Sequence, residues 1–138
     1  MEPENMTPMT EQIPQQTASN VTRYLQLLVQ RDFTEAERSL EKIKQGIKPT
    51  QWGKGFYNAL EGMLIGLRSG DKSNLYINRV VANGSTQIEE SQKRFTRIAK
   101  DPFQGEFDRG YFSAWVEYLQ ALKARKIETK SLNGYLPP

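Results

Sequence analysis

Shifted by 55 residues, the chain lies on itself. Lys54-Gly55-Phe56-Tyr57-Asn58-Ala59-Leu60 falls on Arg109-Gly110-Tyr111-Phe112-Ser113-Ala114-Trp115, matched in size or charge at each place. Leu64 and Leu67 then meet Leu119 and Leu122, and with no gap Phe33, Leu40 and Ile43 meet Ile88, Phe95 and Ile98. Two separate stretches agreeing on one offset point to an internal duplication, in which each unit buries an apolar face against the other. The agreement stops upstream, where Tyr24 meets Arg79 and Leu28 meets Asn83.

Within each unit the apolar residues recur at steps of three and four, the mark of amphipathic helices. Val21, Tyr24, Leu25, Leu28 and Val29 predict a first helix with a break at Asp32. Phe33, Ala36, Leu40, Ile43 and Ile47 predict a second, with Thr34 and Glu37 as a capping box and Gly46 and Pro49 as the stop. Residues 50–69 carry Trp52, Phe56, Leu60, Met63, Leu64 and Leu67 over much of the helical circumference, as a central helix would. Residues 71–82 predict a shorter helix, with a strand as the alternative because Ile77, Val80 and Val81 are β-branched. Thr86 and Glu89 suggest a capping box for a helix that ends at Asp101-Pro102, and a last, broadly apolar helix spans residues 106–126. The expected fold is therefore all-α, with about six helices in two three-helix units, residues 20–70 and 75–126, packed through their third helices.

The flanks read differently. Residues 1–17 are rich in Pro, Thr and Gln and nearly empty of large apolar groups, so they predict a disordered tail. Glu2, Glu4 and Glu11 make it acidic, which leaves 19 basic against 13 acidic groups on the rest of the chain. Residues 18–130 are expected to form one domain and residues 131–138 a second tail. No apolar run approaches the roughly 18 residues of a membrane span, and the polar start has no hydrophobic signal core. A soluble, unexported, cytoplasmic protein with no membrane partner is the expectation.

Trp52, Gly55, Ala59 and Gly62, and separately Phe33-x-x-Ala36-x-x-x-Leu40 before Pro49, resemble pieces of tetratricopeptide-type helical hairpins. The resemblance covers about half the chain and lacks the 34-residue period of such repeats. It implies a surface for peptides or proteins and carries no catalytic residues.

The chemistry that is missing narrows the function further. With no His and no Cys, histidine-dependent triads, thiol nucleophiles and the usual zinc ligands are excluded. Carboxylates alone remain for metals, and none cluster at a spacing that suits one. No glycine run has phosphate-loop spacing. No cofactor, no metal and no catalytic residue are expected, and an enzyme without His or Cys is only the lesser alternative.

The expected function is a non-catalytic protein-interaction or scaffold module, with a protein partner or self-association. The alternative is a nucleic-acid-associated basic protein drawing on Lys93, Arg94, Arg97 and Lys100, which crowd one stretch of helix, and on Lys123, Arg125, Lys126 and Lys130 near the end. Lys54 and Arg109, equivalent under the offset and each preceding a glycine, are candidate binding residues. Gly55, Ala59, Gly62 and Gly66 form a stripe without bulk, whose equivalents are Gly110, Ala114, Glu117 and Ala121. Close helix packing along that stripe would make Glu117 a carboxylate in need of Lys54, Arg68 or Arg109 as partner.

Overall fold

A computed structural model of the protein describes residues 12–69 and 85–135, which form five α-helices with no strand among them. They are α1 (Gln15–Gln30), α2 (Phe33–Gly46), α3 (Gln51–Ser69), α4 (Ser85–Lys100) and α5 (Glu106–Tyr135). The element expected over residues 71–82, helix or strand, lies outside the described residues.

α1 buries Val21, Tyr24, Leu25 and Leu28, the stripe its spacing predicts. It starts at Gln15, earlier than the tail boundary drawn at residue 17, because Ile13 and Thr17 are buried in an otherwise polar stretch. Gly46, at the end of α2, has no side chain where the Thr17 hydroxyl sits. Ser39 donates to the Asn20 carbonyl at 3.2 Å, so α1 and α2 run antiparallel.

The turn between them is closed by Arg31, which has φ of 64° and ψ of 31°. Its N–H donates to the Leu28 carbonyl and that of Asp32 to Leu27, the bonding of a left-handed helix end usually occupied by glycine. A side chain in that conformation costs roughly 1 kcal/mol. Set against this, the guanidinium donates to the Leu67 carbonyl of α3 at 3.2 Å and lies over the Phe33 ring at 5.3 Å.

The caps differ from those expected. α2 begins at Phe33, and its cap is Asp32, whose carboxylate accepts from the Glu35 N–H at 3.4 Å; Thr34 and Glu37 already lie within the helix. Thr86 likewise sits inside α4, which starts at Ser85. α3 starts where Thr50 accepts from the Gly53 N–H at 3.0 Å.

α3 is central, as its apolar circumference predicts. Trp52, Phe56, Ala59, Leu60, Met63, Leu64 and Leu67 are all buried. Buried Tyr24 donates from its hydroxyl to the Leu60 carbonyl at 2.6 Å, which satisfies the one polar atom that burial would otherwise orphan. α4 and α5 form an antiparallel pair tied by Gln92 to Gln120 at 2.8 Å and by Lys123 to Glu89 at 3.3 Å. Nearer the turn that joins them, Phe95 packs on Phe112 and Trp115, with ring centroids 5.0 and 6.1 Å apart. α5 continues to Tyr135, past the expected end near residue 126.

The most extensive helix contact joins α3 to α5. A Cβ on Gly55 would run into the backbone carbonyl of Phe107, and a Cβ on Gly110 into that of Trp52, with the Phe56 nitrogen at 3.1 Å. Residues 52 and 107, like 55 and 110, stand 55 apart, so these two approaches are one contact made twice with the helices exchanged. Elsewhere the halves differ: α4 packs broadly on α5, whereas α2 leans mainly on α1 and less on α3.

Gly55, Ala59 and Gly66 of the small-residue stripe are buried, and Gly62 is the exception. Gly62 is exposed, with nothing within 4 Å of the position a Cβ would take, which overturns the expectation of close packing there.

Candidate functional site

Three surface features carry chemistry, and the first is the hydrogen-bonded turn between α4 and α5. The Asp101 N–H donates to the Ile98 carbonyl at 3.2 Å, and the Gln104 N–H donates to the Asp101 carbonyl at 3.1 Å. The Asp101 carboxylate also accepts from the Phe103 N–H at 2.9 Å. Pro102 fixes the first central position of this turn, and Asp before Pro is the pairing that favours it. Phe103 is thereby held at the apex with 95% of its surface exposed, and Phe107, four residues on, is also exposed. Sequence reasoning used Asp101-Pro102 only as a helix stop; the signal for the site was the aromatic next to it.

The second feature is the outer face of α4. Ile88, Ser91, Phe95 and Ala99 turn inward, which leaves Lys93, Arg94, Arg97 and Lys100 exposed. Arg94 lies over the Phe95 ring at 5.2 Å. None of the four is ion-paired to another described residue. Glu89 and Glu90 lie one turn before them and dilute the positive face.

The third is a cavity of about 370 Å³ between the second half of α1 and α5. Leu25 and Val29 of α1 and Ala121 of α5 give it apolar walls, while Gln26, Gln30 and Gln120 bring amides to it. Glu117 lines it with no ion pair or hydrogen bond to another described residue. Burial pushes its carboxyl above the ordinary glutamate range, since little water remains to solvate the charge.

The expected partners of Glu117 are elsewhere. Arg68 pairs with Glu37 of α2 at 2.9 Å. Lys54 is exposed at the start of α3. Arg109 is half-buried, and its Nε makes no hydrogen bond to another described residue. The structure therefore places the eight candidate residues Lys54, Arg68, Arg109, Glu117, Lys93, Arg94, Arg97 and Lys100 in several surroundings, and only the four on α4 share a face.

Among the described residues no group of acidic side chains is arranged to hold a metal ion, and no helix there is long and apolar enough to cross a membrane. Comparison with protein-family models, curated proteins and solved structures finds no match for this chain.

Proposed function

We propose that the chain is a non-catalytic protein-interaction module of helical hairpins, built by duplication of one unit, that engages its partner through the α4–α5 turn. The observation carrying this reading is Phe103, an aromatic side chain 95% exposed on a turn held by backbone and side-chain hydrogen bonds. Large aromatics presented with little conformational freedom are the residues that dominate binding energy at protein interfaces, because ordering them costs little and burying them gains much. The reciprocal approach of Gly55 and Gly110 supports the duplicated origin, since a contact made twice with the roles exchanged is what a two-fold relation between units produces.

The test is a photo-reactive phenylalanine analogue at position 103, with the same analogue at exposed Glu41 as control. A defined adduct from position 103 alone, lost on competition with the wild-type chain, is expected. Phe103→Ala should leave the melting temperature within about 1–2 °C, as surface substitutions do, while abolishing co-purification of that partner. Equal labelling from both positions would defeat the reading.

A second reading, association with nucleic acid, draws on the exposed Lys93, Arg94, Arg97 and Lys100 of α4, which form no ion pair with another described residue. It predicts a partner set that disappears on nuclease treatment and an affinity that falls steeply with salt, as counterion release requires.

A further inference from the structure

The cavity between α1 and α5 lies along the middle of α5, away from the Phe103 turn, and plays no part in the reading above. We propose that it is a binding site for a small aliphatic monoammonium compound, with the ammonium on Glu117 and the hydrocarbon stem between α1 and α5. Its volume, about 370 Å³, falls within the range of natural small-ligand pockets.

Each part of the ligand answers to a feature of the site. Glu117 lines the cavity without a partner for its carboxylate among the described residues, and a half-buried charge of this kind is costly until an opposite charge or donor reaches it. An ammonium supplies both charge and donors, and it has more than one proton to place. The amide oxygens of Gln26 and Gln30 on the opposite wall can accept those that Glu117 does not. Leu25, Val29 and Ala121 contribute apolar surface for a stem, which favours an aliphatic amine over an ammonium ion alone.

Arg125 sets the other limit. It lines the same cavity eight residues beyond Glu117, about 12 Å further along the helix axis. A second positive charge at the far end of the ligand would meet the guanidinium, so a diamine is disfavoured relative to a monoamine. A free amine is preferred to a lysine side chain because it can lie at full length along Leu25, Val29 and Ala121, whereas a lysine stem carries a peptide backbone that must also be accommodated.

The experiment measures binding of hexylammonium to the full chain by titration calorimetry and by the rise in melting temperature. 1-Hexanol, hexanoate, 1,6-diaminohexane and the blocked tripeptide acetyl-Ala-Lys-Ala-amide are compared with it. Saturable binding of hexylammonium, stronger than that of all four, is expected. Glu117→Gln should weaken it about tenfold or more, the loss of one charge-assisted contact, and Arg125→Gln should raise the affinity for 1,6-diaminohexane while leaving hexylammonium bound. Circular dichroism of both variants establishes that they are folded. Hexanol binding as tightly as hexylammonium would reduce the site to an apolar crevice and overturn the proposal. So would tripeptide binding without hexylammonium, or a folded Glu117→Gln variant that keeps full affinity.

Discussion

Glu117 concentrates the tension between burial and charge in one side chain. Desolvation raises its carboxyl pKa in the folded chain, so the folded state keeps a proton that the unfolded state has already released. Stability contributed at this position is then highest at low pH and falls as pH climbs from about 4.5 through the raised value. Glu117→Gln removes the titration. The melting temperature of the variant should match or trail that of the wild type in acid and overtake it as pH rises to neutral; a gap constant with pH would mean that the carboxylate is well solvated. The sequence made Glu117 conspicuous, because it is the one charge at a position where the offset places small residues elsewhere. It did not show which way the side chain turns, and Lys54, Arg68 and Arg109 were assigned to it from chain position alone. Arg68 is instead held by Glu37 across α2 and α3, a pairing that depends on how two helices roll against each other. Phe103 was equally hidden, since exposure is a property of the finished fold.

Among helices, the closest approach is that of α3 to α5, and glycine is what permits it. Gly55→Ala and Gly110→Ala each put a methyl group against a backbone carbonyl, which cannot rotate away, and each should destabilise by about 1–3 kcal/mol through forced separation of the helices. Because both methyl groups open the same crossing, the double variant should cost less than the sum of the two. Gly62→Ala is the contrast: it faces open space, and replacing a helix-interior glycine there should stabilise by about 1 kcal/mol. Urea denaturation of the four variants checks all of this, and a stabilising Gly55→Ala would mean that the crossing is looser than described. Helix positions were legible because three-and-four spacing is a direct imprint of burial; the stripe at Gly55 and the central role of α3 followed from it. Caps were less legible. Asp32 and Thr34 both offer an oxygen at the start of α2, and the choice between them is made by the Arg31 turn, whose left-handed backbone at a non-glycine residue leaves no mark in composition.

For the whole molecule, the offset of 55 residues anticipated that α3 and α5 would lie together, yet not that α2 would lean toward α1 while α4 leans toward α5. Those preferences depend on the particular shapes of Ser39 against Asn20 and of Phe95 against Phe112 and Trp115, which no periodicity encodes. The candidate binding features were least legible, for the turn at Phe103 and the cavity at Glu117 both arise where elements meet. The doubled glycine contact also has a kinetic side. Pairing within α1–α2 and within α4–α5 joins neighbours in the chain, whereas Trp52 and Gly110 must find one another across more than fifty residues, at a loop-closure cost the local pairs do not bear. The hairpins are therefore expected to assemble early, with their docking through α3 and α5 limiting the rate. In stopped-flow measurements the stability lost in Gly55→Ala and Gly110→Ala should appear chiefly as slower refolding, with unfolding little changed; loss confined to the unfolding arm would place the crossing after the barrier. The same two residues that let the helices touch thus govern how quickly the protein becomes itself.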